Sequence, residues 1–248
     1  MKSSHTFSIM TYNVHSCIGR DGRVSPFRIA NVIAQYQPDV VALQELDNGR
    51  VRTGQVHQAK VIAEHLEMDF HFHPSFEIED EQYGNAILSR YPLSLIKAGP
   101  LPTFNGRRTL EQRGAIWASV ELEGKEIHII NTHLGLDRRE RMAQTRSLLS
   151  EEWLASPECC APLVLCGDFN ALPLSPTYRT FKRMLRDVQL SFNGSRPRRT
   201  YPSVYPLARI DHVFVGPEFT VERIEVPRTR ITQIASDHLP LIATVRIT

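Results

Sequence analysis

The sequence predicts an α/β fold in which two layers of β-sheet carry helices on their outer faces, and three observations point to it. Short apolar runs bounded by turn residues recur along the chain. Segments of helical periodicity fall between some of them. One pair of runs meets across Leu122-Glu123-Gly124-Lys125, flanked by Glu121 and Glu126, which reads as a tight hairpin turn.

Taken in order, the predicted strands are Phe7–Asn13, Val40–Glu45, Gly84–Ser89, Leu93–Ala98, Ala115–Leu122, Lys125–Thr132, Leu163–Gly167, Arg209–Val215 and Leu239–Ile247. The predicted helices are Pro26–Gln35, Gln55–Leu66, Arg138–Leu154 and Ser175–Leu185. Ser25 followed by Pro26 is a capping serine before a first-turn proline. No linker, low-complexity tract or fixed-period repeat interrupts the pattern, so residues 1–248 are read as a single domain.

At 248 residues the chain is large enough to bury a substantial core without staples. A hydrophobic content of 42% and a charged content of 23% are those of an ordinary globular protein. The formal charge of +2 gives no global basic field of the kind that announces nucleic acid. The cysteines Cys17, Cys159, Cys160 and Cys166 lack zinc-ribbon spacing, and Cys166 sits in an apolar run as a buried thiol would. A reducing compartment fits best. The first strand starts near Phe7, leaving no room for a signal peptide, and no apolar run approaches transmembrane length. The expectation is a soluble, cytoplasmic protein.

Chemistry is written at the strand ends. Apolar segments repeatedly finish in polar residues that a core would not accept: Asn13 after Ile9–Tyr12, Glu45 after Val40–Gln44, Asn131-Thr132-His133 after Ile127–Ile130, and Asp168-Phe169-Asn170 after Leu163–Gly167. Asp211 is embedded in a strand, and Ser236-Asp237-His238 precedes the last apolar run. Side chains two apart on a strand share a face, so Asn131 can point with His133 and Asp168 with Asn170. If these ends meet, Glu45, Asp168, Asp211 and Asp237 gather in one small volume. Like charges at ~4 Å repel by roughly 4 kcal/mol near a protein surface. Protonation, basic partners or a cation must offset that. Carboxylates with an amide oxygen suit Mg²⁺ or Mn²⁺, and the absence of cysteine argues against structural zinc. Each element taken singly has an ordinary alternative: Asn13 or Glu45 as a solvated strand end, Asp168–Asn170 as a turn, Asp237 as the cap of a bend, His133 as a packed ring. Their joint occurrence is what those alternatives explain poorly.

The ordered motifs Thr11-Tyr12-Asn13, Gln44-Glu45, Tyr83–Arg90, Asn131–Leu134, Gly167–Asn170, Arg209–His212 and Ser236–His238 resemble the endonuclease/exonuclease/phosphatase superfamily over essentially the whole chain from Thr11. The resemblance implies a four-layer α/β sandwich, two packed mixed β-sheets flanked by helices. It implies Glu45 as principal metal ligand, with Asn13 and Asp237 beside it, and Mg²⁺ or Mn²⁺ as cofactor. Asp168 would orient or deprotonate the attacking water, with Asn170 fixing its geometry or the phosphate. His238 would hold the phosphoryl oxygens, kept cationic by Asp211. His133 would bind phosphate or protonate the leaving oxygen. In-line displacement at phosphorus calls for the same set of roles: a positioned water, cationic stabilisation and help for the leaving group.

Tyr83 and Asn85 are further candidates to touch phosphate. His71 and His73 share a strand face and read as packing or surface residues, and His128 as structural. Arginines cluster at Arg50/Arg52, Arg107/Arg108/Arg113, Arg138/Arg139/Arg141 and Arg196/Arg198/Arg199 and suggest an anion-collecting rim, Arg113 among its substrate-binding members. The preferred substrate is a small-molecule or lipid head-group phosphodiester. A nuclease or DNA-repair enzyme on the same fold competes with that reading, as does a catalytically inactive binding or scaffold protein. Against the scaffold, the chain keeps Glu45, Asp168 and His238.

Overall fold

The apolar runs and periodic segments become, in chain order, β1 (Thr6–Asn13), α1 (Pro26–Tyr36), β2 (Val40–Asn48), α2 (Gln58–Leu66), β3 (Asp69–Ile78), β4 (Glu81–Ser89), β5 (Leu93–Pro100), β6 (Gly114–Leu122) and β7 (Lys125–His133). They continue as α3 (Arg138–Leu148), β8 (Leu163–Asp168), α4 (Pro176–Lys182), β9 (Arg186–Asp187), α5 (Val188–Ser191), β10 (Asp211–Val215), β11 (Phe219–Glu225), α6 (Arg230–Ala235) and β12 (Leu241–Ile247). The computed structural model of the protein describes residues 6–103, 111–159, 162–192 and 196–248.

Local chemistry sets the boundaries. Ser25 accepts a hydrogen bond from the Arg28 amide and starts α1 at Pro26. In the β6–β7 turn both Glu123 (φ 50°) and Gly124 (φ 77°) are left-handed, as a two-residue hairpin of this hand requires. The helix expected from Gln55 begins at Gln58, because Gln55 is left-handed and the His57 ring caps the Lys60 amide. The helix expected to reach Leu154 stops at Leu148. Beyond it the Ser150 hydroxyl donates to the Ser147 carbonyl, and the chain turns so that Trp153 packs against the sheet. β9 and β11 were not anticipated, and β3 was anticipated only at His71–His73, which were read as sharing a strand face. β3 is an edge strand, half-exposed along its middle and interrupted by His71, His73 and Pro74, so it lacks alternation.

Two six-stranded sheets result, ordered β11-β12-β1-β2-β4-β3 and β5-β6-β7-β8-β10-β9. Each is mixed: β1–β2 and β7–β8 are parallel and the other pairs antiparallel. Helices α1 and α2 cover the outer face of the first sheet and α3 and α4 that of the second, giving the four-layer sandwich.

Strand parity explains where the site lies. In β1, Phe7 and Ile9 enter the core between the sheets while Met10 and Tyr12 face the helices. Continuing that two-residue period puts Asn13 on the inter-sheet face. The same count carries Ile127 and Ile129 to Asn131 and His133, Val164 and Cys166 to Asp168, and Val215 and Val213 to Asp211. The site is therefore the polar end of the inter-sheet core. Its floor is a buried amide link between the sheets: Gln44 Nε2 donates to Asn131 Oδ1 (2.7 Å) and Thr11 (3.1 Å), and Asn131 Nδ2 donates to the Leu43 and Ala86 carbonyls.

Candidate active site

Glu45 breaks the parity rule. Counting from Val40 and Ala42, which face the inter-sheet core, would send Glu45 to the helix side. A bulge between Leu43 and Leu46 inserts one residue opposite β4, and Glu45 adopts φ 60°. That left-handed residue costs on the order of 1–2 kcal/mol. It returns the carboxylate to the site, where Asn13 Nδ2 donates to Glu45 Oε1 (2.8 Å) and to Asp168 Oδ2 (3.0 Å). The Asn13 amide thus bridges the two acids, while its oxygen accepts from the His15 amide (3.0 Å).

Asp168 reaches the site because Gly167 has φ 142° and lies so close to β7 that a Cβ would fall 1.8 Å from the Thr132 oxygen. The register pairs Asp168 with His133 across β7–β8 and with Asp211 across β8–β10. Asn170 lies beyond the strand end, so shared-face counting does not place it. A left-handed residue (φ 46°) does, with its amide donating to Asp168 Oδ1 (2.8 Å) and its side chain donating to the Leu134 carbonyl (2.9 Å). Burial, then the neighbouring Asp211, pushes the Asp168 carboxyl up to about 7.

His238 stands 3.6 Å from Asp168 through Nε2, and its Nδ1 lies 3.0 and 3.2 Å from the two Asp211 oxygens. Burial disfavours its charge, but Asp211 and then Asp168 outweigh that and raise the ring to about 10. Asp211 is itself held by the Thr200 hydroxyl, and the Tyr201 ring lies 4.8 Å from the His238 ring. Ser236 anchors this segment to β1, its hydroxyl donating to the Asn13 carbonyl (2.8 Å).

His133 is the electrostatic opposite. Burial, then Arg113 and His238, holds it well below the usual imidazole range. Arg113 Nη1 lies 2.8 Å from Nδ1 and Asn170 Nδ2 lies 3.1 Å from Nε2. Both neighbours are N–H donors, and an imidazolium offers no acceptor to either, so the ring is held neutral. Its Nε2 is 3.6 Å from Asp168 and 3.9 Å from Glu45.

Glu45, His133, Asp168, Asn170, Tyr201 and His238 line one cleft of about 660 Å³, together with His15, Arg50, Arg52, Tyr83, Arg113 and Asp237; Asn13 and Asp211 do not line it and act through Glu45, Asp168 and His238. Tyr83 is kept protonated by burial, then by Glu45 and Glu111. Asn85 does not line the cleft; its amide donates to the Gly114 carbonyl (3.1 Å). Arg52 pairs with buried Asp47 (2.8 Å) and Arg50 with Glu81 (3.3 Å), so most of their charge is already matched. Arg107 and Arg108 lie outside the described residues. Thr200, Tyr201 and the Asp47–Arg52 pair were missed by sequence reasoning. The only signal for Thr200 and Tyr201 was their place just after an arginine cluster.

The donor set fits a hard divalent cation. Glu45, His133 and Asp168 offer ligand atoms within 4.8 Å of one another, Glu45 opens onto the cleft, and Asp237 lines it. Asp168, Asp211 and His238 also converge within that distance, but there the Asp211–His238 hydrogen bonds already use the imidazole.

The family model for the Endonuclease/Exonuclease/phosphatase family matches residues 10–238. YbhP of Escherichia coli strain K12 is 26% identical over 257 residues, spanning 98% of this chain and 97% of that protein. An endonuclease/exonuclease/phosphatase of Beutenbergia cavernae shares the fold with a TM-score of 0.79 at 24% identity, over 98% of this chain and 72% of that one. The mannosyl-6-phosphatase Bt3783 of Bacteroides thetaiotaomicron does so with a TM-score of 0.78 at 20% identity, over 96% and 99%.

Proposed function

The chain belongs to the endonuclease/exonuclease/phosphatase family of phosphoester hydrolases, and from that footing we propose that it is a divalent-metal-dependent phosphodiesterase acting on a small-molecule or lipid head-group substrate. The observation that carries this is the convergence on Asp168 of a cationic His238 and a neutral His133, each at 3.6 Å, with Glu45 3.9 Å from His133. Glu45 and Asp237 would hold Mg²⁺ or Mn²⁺, with Asn13 bracing Glu45. The cation, when bound, supplies Lewis-acid stabilisation of phosphoryl charge.

The rest falls to the chain's own residues. Asp168, with a carboxyl near 7, is matched to accept a proton from the attacking water at neutral pH. Asn170 fixes one Asp168 oxygen through its backbone amide and so aims the other. His238, cationic at neutral pH, presents a positive charge to the equatorial oxygens. Of the two roles considered for His133, holding a phosphoryl oxygen suits a neutral ring better than protonating a leaving group. Tyr83 and Arg113 close the cleft on the Glu45 side as donors.

The substrate preference rests on size and charge. A cleft of about 660 Å³ lies within the range of small-molecule sites, and its arginines Arg50 and Arg52 are already paired. A panel of plain and abasic duplex DNA, RNA, phosphatidyl lipids and sugar phosphates, each with Mg²⁺ and Mn²⁺, tests it. Turnover of a small or lipid phosphoester above that of any nucleic acid is the expected result; the reverse order would move the enzyme to the nucleases.

A further inference from the structure

The rim of the cleft differs from its interior. Nine of the fourteen large apolar side chains that stand exposed among the described residues lie in loops joined to site-bearing strands. Leu136 (70% exposed) follows His133 and lines the cleft mouth. Leu172 and Leu174 (77% exposed) follow Asn170, and Val51 follows β2. Tyr205 (74% exposed) and Leu207 sit between Tyr201 and Asp211. Of these nine exposed apolar residues, Leu136 and Tyr201 line the cleft itself and the others lie on loops joined to the strands that bear the site, and no packing among the described residues explains their being left in water.

Arginines flank the same loops. Arg138, Arg139 and Arg146 follow Leu136 on α3, and Arg196, Arg198 and Arg199 precede Tyr201. All six are exposed, and none forms an ion pair among the described residues. The chain as a whole carries only +2, so this concentration of unmatched positive charge is local.

From these two features together we infer that the mouth of the cleft docks on an anionic phospholipid surface, the aliphatic tips entering the interface and the arginines meeting the head groups. Single-stranded nucleic acid would also meet the arginines, but it binds through stacked ring faces. Apart from Tyr201 and Tyr205 the exposed apolar residues here are aliphatic and have no ring face to offer. An aliphatic tip with basic flanks is instead what interfacial attachment uses, apolar burial and head-group attraction acting together. The inference deepens the lipid head-group reading and rests on it: the surface brings an embedded head group to Asp168 and His238 without lifting the lipid fully into water.

The test is co-sedimentation of the full chain with vesicles of phosphatidylcholine alone and of phosphatidylcholine doped with phosphatidylglycerol, alongside turnover of bis(p-nitrophenyl) phosphate. Binding to the doped vesicles only is expected. Leu174→Asp combined with Leu207→Asp should weaken it by about tenfold or more, since both insertion and charge are opposed. Arg146→Glu should weaken it and flatten its salt dependence. Soluble-substrate turnover should be unchanged in all three, which also reports that they fold. Three outcomes would overturn the inference: no binding to doped vesicles, binding indifferent to the leucine changes, or an oligonucleotide bound more tightly than the vesicles. Loss of soluble turnover in the wild type would instead count against the phosphodiesterase reading, independently of vesicle binding.

Discussion

Asp211→Asn removes one charge, keeps the side-chain shape and leaves His238 in place, so it isolates what the carboxylate does for the ring. In the intact site burial opposes the imidazolium, but Asp211 at 3.0 Å, then Asp168, raises it from 6.5 to about 10. That rise corresponds to on the order of 5 kcal/mol in favour of the charged ring. Without Asp211 the burial cost stands against Asp168, which itself titrates near 7, and the more distant Asp237. The ring should then be neutral at pH 8. The assay is kcat and kcat/KM for a soluble phosphodiester across pH 5.5 to 9.5, with an NMR titration of His238. Wild type should show no high-pH limb from this residue until near pH 10. The variant should show one at or below neutrality, with kcat at pH 8 lower by about 10²–10³-fold. Stability should follow the same sign. A folded-state value above the unfolded one stabilises fully below about 6.5 and is lost as pH rises through about 10, and the variant should lack that loss. Wild-type kcat at pH 8 with an unchanged alkaline limb would refute the reasoning.

Other perturbations have equally definite outcomes. Glu45→Gln removes a full ligand charge, so Mg²⁺ should titrate its activity at least about tenfold more weakly; calorimetric affinity equal to wild type would remove Glu45 from the metal site. His212, driven down to about 3 by burial and then by Arg209, binds a proton in the unfolded chain but not in the folded one as pH falls below 6.5. Wild type should therefore lose up to about 4–5 kcal/mol of unfolding free energy between pH 6.5 and 3 from this residue, and urea melts of His212→Phe should show that slope removed. Gly167→Ala would place its methyl against the Thr132 backbone and should cost about 3 kcal/mol or more, read as a fall in Tm with loss of activity.

Much of the site was legible because strand parity is simple. Asn13, Asn131, His133, Asp168 and Asp211 each continue an apolar alternation that already faces the second sheet, so reading the run locates the residue. Glu45 and Asn170 were named by motif, yet their orientation was not readable, since both depend on left-handed backbone that no period encodes. Asn85 shows the reverse: it lies within the family motif Tyr83–Arg90, but its amide is consumed by Gly114. The four helices from periodic segments form, with ends shifted by the His57 cap and by the Ser150 hydroxyl. β3 was read only at His71–His73 because an edge strand half-exposed along most of its length leaves little alternation to read. Thr200 and Tyr201 escaped because their roles come from long-range packing against Asp211 and His238.

The most direct test of the central claim pairs metal removal with Asp168→Asn in hydrolysis of bis(p-nitrophenyl) phosphate. Wild-type turnover should vanish in excess chelator and return with Mg²⁺ or Mn²⁺, while Asp168→Asn, folded by circular dichroism and supplied with metal, should lose about 10²-fold or more in kcat because the carboxylate that handles the water is gone. Full activity in chelator, or wild-type kcat from Asp168→Asn, would contradict the account.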